Sequence, residues 1–402
     1  MVNFLRNQPA AALLFFTLAL NMVGFGIVLP LLPVLVRELG GSPLAMSGMV
    51  TGWAAAQFFM APVWGSLSDR IGRRPVLMVG VGGMVLTFSL LAAADSVLEA
   101  VLCRVVGGLL SAATLATGQA YLADVTTPEQ RAEAMASAGA AFGVGFVVGP
   151  MLGSALLALG LRTAFAAAAA LSAANLLAVW WKLPEPPHRH PTEPSASPAS
   201  LRALALARGQ PWAVYLHVLF LMAFSAASIF SMLGLFVLDR LGLPEEMAGI
   251  PFTVQGLVSM LLQFFLVGPA ARRLGDHRTL LASCGLGVAG FVVVAASRTL
   301  AAVCLGVAAA AAAFSFARPM AAAAISVRSR MPHGVVMGMQ TAADALGRAL
   351  GPLWAGAVYR WHPSAPFAWA AFACLAAGCM LALRPAPSPA LPLPPSPPAA
   401  GS

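Results

Sequence analysis

Charge is scarce in this chain: only 9% of its 402 residues are Asp, Glu, Lys or Arg, against about 25% in an ordinary soluble domain. So little charge cannot coat a water-soluble particle, and it excludes a disordered chain or a coiled coil as well. Lysine is nearly missing, with Lys182 standing beside 22 arginines. The five cysteines (Cys103, Cys284, Cys304, Cys374 and Cys379) are too few for a secreted disulfide scaffold. All five fall inside apolar runs and show no metal-ligand spacing, so they read as packing residues. The six histidines are scattered. No nucleophile–base pair or ligand cluster forms, so neither an enzyme nor a bound cofactor or metal is expected. What is abundant is apolar: the residues AVILMFWYC make up 59% of the chain, and the mean hydropathy is +0.84. That composition defines a polytopic membrane protein.

A net charge of +9 would suggest nucleic acid in a soluble protein. Here the basic residues sit in short gaps between apolar runs, where no basic face forms, and nucleic acid is excluded as a partner. A spanning helix needs about 20 mostly apolar residues. Twelve such runs lie near 9–36, 45–65, 76–95, 99–122, 132–158, 162–182, 211–237, 247–270, 279–297, 300–325, 334–358 and 365–383. The first is too long for a signal peptide and lacks an obvious cleavage site, so it reads as a retained helix. Placing the N-terminus in the cytoplasm puts 15 Arg and Lys residues in inner segments, five in outer ones and three inside helices, as the positive-inside rule requires. Both termini are then cytoplasmic.

The Pro- and Ser-rich stretch around 184–200 breaks the pattern. It divides the chain into an N-terminal six-helix bundle (1–182), a cytoplasmic linker (183–210), a C-terminal six-helix bundle (211–384) and a disordered tail (385–402). The halves echo each other. Gly65–Gly72 resembles Gly268–Gly275 at an offset of 203, and Gly145, Gly149 and Pro150 resemble Gly347, Gly351 and Pro352 at 202. Paired repeats of this kind mark a carrier that rocks about a central site. The expected fold is therefore all-α: twelve transmembrane helices in two pseudo-symmetric six-helix bundles.

After the second run the chain reads Gly65-Ser66-Leu67-Ser68-Asp69-Arg70-Ile71-Gly72-Arg73-Arg74. This resembles the signature loop of the major facilitator superfamily, G-x-L-[AS]-D-[RK]-x-G-[RK]-[RK], at every defined position. On the residues alone, Gly65 permits close helix approach and Gly72 a tight turn. Asp69 is placed to cap a helix or to pair with Arg73, and Asp124 is a second partner. The resemblance implies a conformational latch built from Gly65, Asp69, Arg70, Gly72, Arg73, Arg74 and Asp124. In the second copy Arg272 replaces the Asp, which implies a weaker latch there. Gly145-x-x-x-Gly149-Pro150-x-x-Gly153 is similar to the antiporter helix of drug:proton exporters, with Ser154 in place of the final Gly. It implies export rather than import, although any tightly packed membrane helix uses such glycines.

Three charges lie inside runs. Arg104 resembles a buried Arg linked to proton transfer in the family; snorkelling to Asp95 or Glu99 fits equally. Asp344 lies ten residues into the eleventh run, about 15 Å deep at 1.5 Å per residue, and is the only acid deep in any run. Arg348 follows at i+4 on the same face. A low dielectric favours the neutral acid and a nearby Arg favours the carboxylate. Either a permanent ion pair or a site where a proton competes with a cationic substrate fits; Asp344, with Arg348 and Arg104, is the candidate for proton coupling. Arg318 either binds an anionic group or snorkels, and His217 is either a satisfied interior residue or a proton group. Asn21, Phe25, Gln57, Thr117, Gln119, His217, Phe224, Arg318 and Gln340 are the candidate substrate-cavity residues.

The first run, Asn21 to Pro33, is similar to the tetracycline-efflux branch. That branch has Asp where Asn21 stands, an acid where Thr87 stands, and an acid in the ninth run, where 279–297 has none. The expectation is therefore broader: a secondary active transporter in a bacterial inner membrane that exports a drug-like or hydrophobic small molecule in exchange for protons by alternating access. The alternatives are a tetracycline-specific pump, or an exporter or uniporter of a metabolite such as a sugar or amino acid. The expected partners are that small molecule, protons and the lipid bilayer, and the protein is expected to be a monomer.

Overall fold

A bilayer holds no water to satisfy backbone N–H and C=O groups, so an apolar chain must close its hydrogen bonds within each segment, which an α-helix does. The computed structural model describes residues 9–126, 131–186, 210, 212–329 and 333–383. Among these residues there are no strands and there are twelve long helices. They are α1 (Pro9–Glu38), α2 (Pro43–Ile71), α3 (Arg73–Ala93), α4 (Val97–Val125), α5 (Arg131–Leu157), α6 (Leu161–Lys182), α7 (Ala213–Leu241), α8 (Ile250–Phe265), α9 (Asp276–Ala296), α10 (Leu300–Arg328), α11 (His333–Tyr359) and α12 (Ala365–Ala382). All twelve expected runs fall on these helices. The run at 247–270 is divided: α8 stops at Phe265 and a short helix, Val267–Leu274, carries the basic turn with Arg272 and Arg273.

Among the described residues, eleven helices are long and apolar enough to cross a membrane. The remaining one is α11, whose apolarity is lowered by Asp344 and Arg348. The protein is an integral membrane protein. Lipid-facing surface is visible as large exposed apolar side chains, among them Phe59, Leu305 and Phe372, which a soluble protein does not leave in water. Trp181, at the end of α6, is 80% exposed, where interfacial aromatics belong. The starts of α2, α4 and α10 are set by side-chain caps: Ser42, Ser96 and Thr299 accept from the N–H groups of Ala45, Glu99 and Ala302.

Packing repeats with a period of six helices. In the first half α1 packs on α5 and α6, α2 on α4, and α3 on α4 and α6. In the second half α7 packs on α11 and α12, α8 on α10, and α9 on α10 and α12. The halves meet along α2·α11 and α5·α8. The expected linker lies outside the described residues except for 183–186 and 210, and the expected tail at 385–402 lies wholly outside them.

Candidate functional site between the two halves

The chain crosses back and forth, so the signature loop at 65–75 marks one end of the bundle, here called the loop end. The joints between the halves lie between the midplane and the opposite, far end. The glycine N–H of Gly249 at the start of α8 donates to Ser154 Oγ on α5 at 3.0 Å. Its counterpart is Gly356 on α11, packed on Ser47 of α2. Both partners are shifted by 202 residues, with Ser and Gly exchanged. Nearby, Thr51 Oγ1 donates to Ala349 O at 3.0 Å. At the rim, Tyr359 donates to Asp239 at 2.9 Å, and Arg37 lies 4.0 Å from the same carboxylate. These contacts join the two halves on the far-end side.

The antiporter-like glycines act within the first half. Gly145, Gly149 and Gly153 lie along one face of α5 against α1. A Cβ on Gly149 would stand 2.6 Å from Gly26 Cα, and one on Gly153 would stand 2.8 Å from Pro30 Cγ. Only glycine permits that approach. Pro150 lies inside α5, and its carbonyl faces Gly249. Thus α5 packs on α1 along one face and on the other half along the next.

Arg104 on α4 is not paired with Asp95 or Glu99. Asp95 pairs with Arg162 at 2.6 Å, and Glu99 accepts from the Asp95 N–H. Instead the Arg104 guanidinium lies 4.1 Å over the Trp53 ring, is 3% exposed, and has Nε and Nη1 without hydrogen-bond partners. The cation–π contact offsets part of its desolvation. From Trp53 a run of rings leads through Phe25 and Phe146 to Phe230 in the second half, with centroids about 6 Å apart.

At the midplane, Asp344 is buried and forms an ion pair with Arg348. Arg348 is half exposed, at 52% of its side chain. On α11 the exposed apolar residues Leu346, Leu350, Leu353 and Trp354 form one face. Arg348 and the exposed Thr341 lie on the other side of the helix, as 100° per residue dictates. One face of α11 therefore meets lipid and the other meets the space between the halves. Arg318 on α10 is exposed and close enough to oppose the charge of Arg348. His217 is exposed on α7, a helix otherwise buried up to Leu238 apart from partly covered positions such as Phe220 and Phe224. Its Nδ1 lies 2.8 Å from the Ala213 carbonyl. Asn21 and Gln340 are buried with amide nitrogens unpartnered, and Thr117 is buried with its hydroxyl unpartnered. Phe25 and Gln57 are half-buried, and Gln119 is exposed.

At the loop end, Arg73 ties three helices together. Its guanidinium reaches Asp69 at 2.6 Å, Asp124 at 2.8 Å and Ser68 Oγ at 2.6 Å. Gly72, with φ +104°, makes the sharp turn between α2 and α3. Arg74 donates to the Trp180 carbonyl, and Arg70 is exposed. Gly65 has nothing within 4 Å of the place a Cβ would take; close packing is not its role here. Glu185, absent from the sequence expectations, accepts from the backbone N–H groups of Arg73 and Arg74 and so caps the start of α3. The second copy also holds an ion pair. Asp276, 203 residues beyond Arg73, pairs with Arg328 near the end of α10, which is the first-half bridge with its charges reversed. The offset of 203 carries Arg73 to Asp276, but Arg328 lies 204 residues beyond Asp124, one position off that register, so the fold and not the repeat in the sequence brings the pair together.

A profile of the Major Facilitator Superfamily matches residues 14–315 and 219–401. The chain belongs to the Major Facilitator Superfamily and is a transporter, related to tetracycline and multidrug efflux proteins. It is 31% identical to the tetracycline resistance protein, class C, of Escherichia coli over 94% of this chain and 98% of that one. It is 25% identical to multidrug resistance protein 2 of Bacillus subtilis (strain 168) over 87% and 88%. Among solved structures, the human organic anion transporter MFSD10 superimposes with a TM-score of 0.66 at 26% identity, over 92% of this chain and 98% of that one. The nucleoside transporter NupG superimposes at 0.80 with 15% identity, over 93% and 99%, a likeness of fold alone.

Proposed function

We propose that the protein exports a drug-like or moderately hydrophobic small molecule in exchange for protons, by alternating access between its two six-helix bundles (1–182 and 211–384). The observation that carries this reading is Asp344: a buried acid at the midplane, paired with an Arg that borders the space between the halves. Substrate enters from the loop end. Protonation of Asp344 releases its charge from Arg348 and changes which access state is favoured, because the two states hold that carboxyl in different surroundings. The Arg73–Asp69–Asp124 cluster biases one state and the far-end joints bias the other. The similarity to tetracycline and multidrug efflux proteins supports export. The distribution of Arg supports a bacterial inner membrane with the loop end, the linker and both termini cytoplasmic.

The test uses purified protein in vesicles with an imposed proton gradient. Asp344→Asn is expected to abolish gradient-driven transport while substrate counterflow persists, since counterflow needs alternation but no proton step. Gradient-driven transport by the variant at the parent rate would remove Asp344 from the mechanism.

A second reading, a tetracycline-specific pump, is favoured by the identity to the class C protein along nearly all of its length. The residues oppose it: Asn21 is a neutral amide and Thr87 hydrogen-bonds its own helix at Gly83. Tetracycline susceptibility in a host stripped of its own pumps decides between them.

A further inference from the structure

The charge lining the midplane is unbalanced. Asp344 is matched by Arg348, and no other acid lies away from helix ends among the described residues. Arg318 has no ion-pair partner among the described residues. Its position is ten residues from the end of α10 at Arg328, or about 15 Å from that end. The exposed apolar residues of α10, such as Leu305 and Val327, lie roughly 180–220° around the helix from it. Arg318 therefore points away from lipid, into the space that Arg348 also borders. A bare guanidinium at this depth is costly, and a second one beside it makes the cost greater. Two arginines against one acid leave the site positive whatever the state of Asp344.

Such a site repels organic cations and attracts anions, and the low dielectric around it strengthens both effects. A planar guanidinium is also the best protein partner for a carboxylate or sulfonate, through paired N–H···O bonds. Phe224 on α7 and the rings from Trp53 to Phe230 offer an apolar wall for the rest of the molecule. We propose that the substrate is an amphipathic molecule bearing an acidic group, and that Arg318 is the residue that holds this group. The inference rests on the reading of the chain as a carrier loaded between its halves.

Two dyes of like xanthene skeleton test the proposal: sulforhodamine B, which bears two sulfonates, and rhodamine 6G, a cation. Binding to the purified full-length protein in detergent is read by fluorescence anisotropy. Sulforhodamine B is expected to bind about tenfold or more tighter than rhodamine 6G. Arg318→Gln is expected to cost about tenfold for sulforhodamine B, the loss of one charge-assisted contact, and nothing for rhodamine 6G. Arg318→Lys should recover part of the loss, and Arg318→Glu should reverse the preference. Arg318 is exposed and unpaired, so these variants leave no partner stranded; gel filtration confirms that they fold. Equal or tighter binding of rhodamine 6G, no binding of sulforhodamine B, or unchanged sulforhodamine B binding by Arg318→Gln would overturn the assignment. Transport that ignores the proton gradient while the Arg318 effects persist would sink the exchange reading and leave this one standing.

Discussion

At the scale of single residues, two glycines of the same loop answer to different physics. Gly72 sits at φ +104°, where an L side chain is strained, and a Cβ there would meet Glu185 Oε1 at 2.9 Å. Gly65 is helical and surrounded by open space. Gly72→Ala is therefore expected to destabilise the protein by about 1–3 kcal/mol, visible as a lower melting temperature in detergent. Gly65→Ala should leave the melting temperature unchanged or raise it slightly, since alanine favours a helix. Equal melting temperatures for the two variants would show that the turn is not under this constraint. Both glycines stand in one motif, and only backbone angles separate them. The same scale holds the surprise at Arg104. Acids near in sequence suggested a partner, but Asp95 is taken by Arg162, and an aromatic face from another helix does the work instead.

At the scale of helices, the repeated Gly-x-x-x-Gly spacing was readable as close packing, and α5 does lie backbone to backbone on α1. Which glycines matter is a question of facing direction. Gly149→Val would drive a branched side chain into Gly26 and Val23. Overpacking of this kind costs about 1–3 kcal/mol or more, so a large fall in folded yield is expected. Gly139, on the same helix, has nothing within 4 Å, and Gly139→Val should be tolerated. Fluorescence-detected gel filtration of the two variants compares them directly; similar folded yields would contradict the close approach of α1 and α5. The divided α8 was not foreseen, because hydropathy alone runs on across Phe265 into the basic turn. The cap on α3 was also missed: Glu185 is remote in sequence, and nothing in its neighbours marks it as a helix cap.

At the scale of the whole molecule, the far end is held by a symmetric pair of Ser–Gly joints. A Cβ on Gly249 would meet the Pro150 carbonyl oxygen at 2.5 Å, so this joint closes only with glycine. Gly249→Ala is expected to force the two bundles apart at the far end, to lower the melting temperature in detergent by several degrees and to reduce transport. A melting temperature and transport rate equal to the parent's would mean that the far end is not held by this contact. The contact spans the two bundles, so the variant tests their closure and not the chemistry at Asp344.

Composition and the spacing of apolar runs were enough to settle the membrane setting, the helical class and the twofold repeat of the six-helix packing. Each rests on a property that every segment carries alone: an apolar stretch in lipid must be a helix, and a repeated stretch packs in a repeated way. The candidate charges were also legible, since a deep Asp or Arg stands out in an apolar run. Their pairing was not, because partners such as Trp53 for Arg104, or Asp276 for Arg328, come from different helices. Whether a charged side chain meets lipid, protein or the central space depends on how helices turn about their axes, and that rotation is set only when all of them pack together.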